Sequence, residues 1–153
     1  MMKKDLLRRA RSSIDGKRRV RSAYLRRAVS DAYYALFHAL AFACANSLAG
    51  VTKRDSSAWR RIYRSLEHSR AKEEFGRAET RALHENIARI GVAFKQLQEA
   101  RHAADYDPAT TLRRRSDAEA LIGIAETAIS DLDALPADLA LDLAASLLFR
   151  KRP

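Results

Sequence analysis

Arg101, His102, Asp105 and Tyr106 stand within six residues, in the run Arg101-His102-Ala103-Ala104-Asp105-Tyr106 that closes a long amphipathic pattern. These side-chain types suit phosphoryl chemistry. A guanidinium forks onto phosphate oxygens, an imidazole titrates near neutrality and moves protons, and a carboxylate or phenol shapes the pocket around them. A second line, Arg27, Asp31, Tyr34 and His38, recurs at steps of three and four and therefore shares one helix face. Arg113, Arg114 and Arg115 follow a few residues beyond the first run and offer either further phosphate contacts or a merely solvated loop.

What positions Arg101 can be counted. Leu83, Ile87, Ile90, Phe94 and Leu97 alternate steps of four and three, and the next step reaches Arg101. Eighteen residues, or five turns of helix, separate Leu83 from Arg101, so the two share a direction. A guanidinium on a buried stripe is costly without a partner or a ligand. Two readings follow: an ion pair with Asp105, four residues on and on the same face, or an arginine held in a half-buried cleft to grip phosphate.

Stepping along the chain, six helical segments are expected, over residues 3–14, 18–48, from 56 onward, 77–104, 116–134 and 136–149. Gly16, Gly50 and Pro108 supply stops. Asp55 or Ser56 supplies an N-cap, and Ser116 to Glu119 reads as a capping box. Pro136 suits the first turn of the last helix. In the second segment Leu25, Val29, Ala32, Leu36, Leu40 and Ala43 should face the core. In the third, Trp59, Ile62, Tyr63 and Leu66 share a side, with Arg60, Arg61 and Arg64 elsewhere. The last segment, Leu139 to Phe149, is apolar enough to need a surface, on its own bundle or on a second copy.

The 153 residues include only 5 Gly and 3 Pro, and nothing alternates apolar and polar over strand length. That mixture favours one all-α domain large enough for a real core. The most apolar stretch, residues 35–48, looks too short to span a bilayer, and no signal peptide is evident. A cytoplasmic protein without a membrane role is expected. Cys44, alone, reads as a small buried hydrophobe.

Net charge is +10, unevenly spread. Residues 1–27 hold eleven Lys or Arg against Asp5 and Asp15, whereas residues 116–149 hold seven acids and no Lys or Arg. Such asymmetry suits nucleic acid or an acidic partner, and equally a solvated surface. Other chemistries lack their residues. There are no paired Glu-x-x-His motifs, and His38, His68, His84 and His102 have no zinc spacing. No Gly-rich phosphate loop occurs. Neither metal nor cofactor is expected.

The stretch from Arg27 to Ala39, with its Tyr33-Tyr34 pair and Phe37-His38, resembles the first motif of the HEPN superfamily. The run from Arg101 to Asp107, about seventy residues later, resembles the second, in small stand-alone members whose motif ends in Ala-Asp-Tyr. The resemblance covers roughly residues 18–135. It implies a HEPN-like bundle of four or five helices, here with an extra C-terminal helix, that forms a homodimer and brings two arginine motifs to one cleft. It also implies an RNA- or nucleotide-engaging protein, in many members a metal-independent endoribonuclease of toxin-antitoxin or defence type. A nucleotidyltransferase-like antitoxin is the implied partner. Arg101 matches the family's arginine and His102 its following polar residue. Tyr106 stands where active members carry histidine, so proton transfer would fall to His102 or His38, with Asp105 and Tyr106 shaping the pocket. The alternative is a non-catalytic nucleic-acid-binding or protein-interaction module.

Overall fold

A computed structural model describes residues 2–15, 22–106 and 114–152, apart from the side chains of Ser22 and Tyr106. The described residues are all-helical and contain no strand. Eight α-helices occur among them: α1 (Met2–Ile14), α2 (Ser22–Ala49), α3 (Ser57–Tyr63), α4 (His68–Phe75), α5 (Ala78–Arg81), α6 (Glu85–Tyr106), α7 (Arg115–Asp133) and α8 (Ala137–Leu148). A single 3-10 turn, Val51–Lys53, follows α2. The all-α expectation is met. Packing divides the chain into two compact units, residues 1–38 with 93–129 and residues 39–92 with 130–153. Helices α2, α6 and α7 each contribute to both.

In the first unit the periodicity of α2 does what the sequence requires. Leu25, Val29, Ala32 and Leu36 are buried, with Tyr33 fully enclosed beside them. From α6 come Phe94 and Leu97, from α7 Ala118, Ile122 and Ala125, and from α1 Ala10 and Ile14. The Tyr33 ring lies 5.5 Å from that of Phe94, which ties α2 to α6. The first helix is held to α2 by Arg9, whose Nε donates to Asp31 Oδ2 at 2.8 Å and whose Nη2 donates to Oδ1 at 2.5 Å. It is held to α7 by Arg11 and Glu126. The start of α7 is one residue earlier than the capping pattern suggests: Asp117 Oδ2 accepts the backbone N–H of Arg114 at 3.1 Å, so the acid in the first turn reaches back to the cap.

The second unit departs from expectation more. Residues 77–104 do not form one helix. The chain turns at 82–84, α6 starts at Glu85, and Leu83 is 37% exposed. His84 causes the new start, because its Nδ1 accepts the N–H of Asn86 at 3.0 Å. Before the turn lie two short helices that residues 68–81 did not announce. Phe75 of α4 packs closely on α6 at Gly91, where a Cβ would stand 3.2 Å from Phe75 Cδ1. Only glycine leaves that space. Ser56 caps α3 as anticipated, accepting from Trp59 N–H at 3.2 Å. Gly50, at φ 91°, ends α2 in the left-handed region.

The last helix finds its surface within this unit. Leu143, Ala144 and Leu147 are buried, and Arg70 of α4 donates to the carbonyls of Ser146 at 3.3 Å and Phe149 at 2.9 Å. Residues 23–49 are long and apolar enough to cross a membrane by length and composition, which corrects the estimate made from residues 35–48 alone. That helix has 72% of its apolar window buried inside the protein, as a core helix does. Leu40 and Cys44 belong to this core, whereas Ala43 is only half-buried.

Candidate functional site around Arg101

The site lies in the first unit, where α6 and the first half of α2 adjoin. Leu83 drops out of the stripe, yet Ile87, Ile90, Phe94 and Leu97 are all fully buried and Arg101 is the next step. Its side chain is 27% exposed, with the guanidinium carbon 4.9 Å from the centre of the Tyr34 ring and 5.2 Å from that of Tyr33. The two tyrosines meet edge-on, with ring centres 5.4 Å apart and planes at 69°. They form a corner of aromatic faces that attracts a cation through their quadrupoles. Burial pushes the Tyr33 phenol well above its usual value, with the Arg101 charge pulling part of the way back.

Asp105 completes the surroundings, but loosely. One of its oxygens lies 3.7 Å from Arg101 Nε, beyond hydrogen-bond reach. Arg101 Nε is itself buried and without a hydrogen-bond partner among the described residues. The ion pair expected between Arg101 and Asp105 therefore exists, and it leaves a donor unused.

His38 reaches the same aromatic corner from its other end. Its ring centre is 6.2 Å from that of Tyr34 and 5.9 Å from that of Phe37. Burial lowers its pKa, so the imidazole is neutral at pH 7 and able to accept a proton. Arg101 and His38 thus both lie against the Tyr34 ring, with Asp105 beside Arg101.

The other sequence candidates stand apart. His102, one position after Arg101 and about 100° round the helix, is exposed. Arg27 is exposed on α2, and Asp31, between it and Tyr34, is committed to Arg9. Arg114 is exposed ahead of α7, and Arg115 pairs with Glu119 at 3.3 Å. Tyr106 is the last residue of α6, its side chain outside the described residues, as is Arg113 altogether. Among the described residues no three His, Cys, Asp or Glu side chains are grouped to hold a metal ion. The Cys44 thiol is pushed up to about 12 by burial, which makes it a poor nucleophile.

Two residues that decide how the faces of α2 are used carry little sequence signal. Tyr33 lies on the core face of α2, and only its adjacency to Tyr34 hints that both rings meet one cation. Arg9 is one of eleven N-terminal cations, and the sign that it has a partner is Asp31, the single acid of α2. Compared with known proteins, the chain matches no family model, no curated protein and no solved structure.

Proposed function

We propose that this chain is a HEPN-like, RNA-engaging protein in which Arg101 grips a phosphate. The observation that carries the reading is the half-buried guanidinium in its tyrosine corner, with a buried Nε–H that nothing among the described residues accepts. Buried polar groups are almost always bonded, and an orphan donor on a cation is suited to an anionic ligand. Phosphate is the anion that a forked donor fits.

If the bound RNA is cleaved, His38 is the best-placed base. Held neutral, it would take the proton of a 2′-hydroxyl while that oxygen attacks the adjacent phosphorus. Arg101 would balance the charge of the phosphorane, and the P–O5′ bond would break as the 5′-oxygen takes a proton from water, while the imidazolium of His38 returns its proton to solvent. The products are a 2′,3′-cyclic phosphate and a 5′-hydroxyl, formed without a metal. A homodimer would set two such corners side by side, and a nucleotidyltransferase-like antitoxin is the partner that this class implies. The second reading is a non-catalytic binding module, favoured by Tyr106 at the position of the family's histidine and by the exposure of His102.

Incubating the purified protein with RNA in EDTA, beside Arg101→Ala and His38→Gln variants, tests both. Cleavage by the wild type, lost in both variants, is the expected result. Equal cleavage by wild type and Arg101→Ala overturns the enzymatic reading. RNA binding without cleavage, weakened in Arg101→Ala, selects the module.

A further inference from the structure

Some of the described N-terminal cations are taken up by the fold: Arg8, Arg9 and Arg11 pair with Asp5, Asp31 and Glu126, while Lys4, Arg26 and Arg27 are exposed. In the second unit Lys53, Arg54, Arg60, Arg61 and Arg64 are all exposed within twelve residues. None of the five is ion-paired among the described residues, and Asp55 is the only acid between them. Arg60 and Arg64 are also four apart on one helical face, a like-charge spacing that weakens a helix. Cations near a helix C-terminus suit its dipole by a few tenths of a kcal/mol, but one would serve. A local rule broken without compensation in the fold points to a ligand.

The cations also stand on a built platform. Seven residues are too few for a helix to persist alone, and α3 is pinned by its aromatic side. Trp59 is buried, donates from Nε1 to Asn46 Oδ1 at 3.0 Å, and stacks on Tyr63 with ring centres 5.3 Å apart. It also meets Phe42 edge-on at 5.6 Å, while the Arg54 guanidinium lies 4.6 Å from the Phe42 ring centre. With Trp59 turned inward, this face has no tryptophan to enter a lipid headgroup layer. Four of the five cations are arginine, the side chain whose fork fits phosphate. A second copy is the weaker occupant, because Glu119, Glu126 and Asp131 of the acidic stretch are already paired and only scattered acids such as Asp138 and Asp142 are left exposed to meet five cations.

We propose that the face formed by residues 53–64 is a docking surface for the RNA backbone, separate from the Arg101 corner. The proposal rests on the reading above in taking RNA as the polyanion, and it adds where most of the phosphate contacts are made. Exposed arginines can be neutralised without disturbing Trp59, so Arg60→Gln/Arg61→Gln/Arg64→Gln should keep wild-type circular dichroism and tryptophan fluorescence. Anisotropy of a fluorescent oligouridylate, titrated with full-length protein from 50 to 300 mM KCl, gives the slope of log K against log salt. Three lost contacts to a single strand should flatten that slope by about 2 and weaken binding at least tenfold at low salt. Restoring charge with Arg60→Lys/Arg61→Lys/Arg64→Lys should restore the slope.

An unchanged slope in the glutamine variant overturns the proposal. So does wild-type binding to phosphatidylglycerol vesicles, or charge-dependent self-association, with none to the oligouridylate. The Arg101→Ala variant separates this from the catalytic corner. If it loses binding while the glutamine variant keeps its slope, the α3 surface fails and the Arg101 reading stands. If the glutamine variant alone changes, the reverse holds.

Discussion

Arg9 and Asp31 are joined by two parallel hydrogen bonds, and the carboxylate so held has only 5% of its side chain exposed. The pair decides how the polar line of α2 is used. Asp31 is turned toward α1, and Tyr34 is left to face Arg101 on one side and His38 on the other. The contact also raises the Arg9 pKa, chiefly through its hydrogen bonds to Asp31.

Removing Arg9 should therefore cost more than removing the pair. Breaking a buried ion pair costs about 3–5 kcal/mol, but Arg9 is 56% exposed and water screens it. A loss of about 1–3 kcal/mol is expected for Arg9→Ala. Arg9→Ala/Asp31→Leu, which leaves no buried charge, should recover most of it. Urea midpoints of the two variants check this, and a double variant weaker than the single would refute it.

The Tyr34 ring is the shared wall between Arg101 and His38, so its chemistry can be varied directly. Tyr34→Phe keeps a π-face, and Tyr34→Leu does not. The leucine variant should lose about 0.5–2 kcal/mol of stability beyond the phenylalanine variant. It should also bind oligouridylate more weakly, because the guanidinium is no longer held in place. Thermal melts with anisotropy titrations give both quantities, and equal behaviour of the two variants would show that the stacking is idle.

Much of this arrangement was legible before any coordinates, where periodicity alone decides. Leu25, Val29, Ala32 and Leu36 are buried as their spacing demands, and the stripe from Ile87 to Leu97 leads to Arg101. The turn at 82–84 was not legible. Ala82 and Leu83 are good helix formers, neither glycine nor proline marks the break, and its device is a histidine acting as a cap. Likewise Arg70, Arg77 and Thr80, which surround the buried Glu74, are spaced for a helix surface and give no sign of a shared buried partner. The convergence of Arg101 with His38, rather than with neighbouring His102, depends on which helices adjoin. Only packing sets that.

The depressed pKa of His38 makes stability depend on pH with a definite sign. Burial disfavours the charged form, so the unfolded chain binds this proton more tightly than the folded one. The stability tied to neutral His38 is fully present above the unfolded value of 6.5 and is lost as pH falls from there through the lower folded value. His38→Gln should fall less than the wild type in melting temperature between pH 7.5 and 5.5. If His38 is also the base, cleavage should increase with pH and level off below neutrality. Parallel pH profiles of wild type and variant would expose the error if the imidazole were charged in the fold.

Arg70 holds the last helix by its backbone. Its guanidinium, 15% exposed, donates to the carbonyls of Ser146 and Phe149 at the C-terminal end of α8, where carbonyls lack helical partners. Glu74 lies 3.6 Å away on the same helix and keeps the charge in place. Arg70→Met preserves the apolar stem and removes the donors, and Glu74 retains its bond from Thr80 Oγ1 at 2.7 Å and its contact with Arg77. Bonds from a charged donor are worth about 1.5–3 kcal/mol, and the loss should be local, because Leu143 and Leu147 stay buried by their own contacts. Backbone amides of residues 143–149 should then exchange with deuterium ten- to a hundredfold faster, roughly the factor for that energy, while those of α2 are unchanged. Uniform acceleration across the chain would mean that Arg70 supports the whole fold rather than one helix.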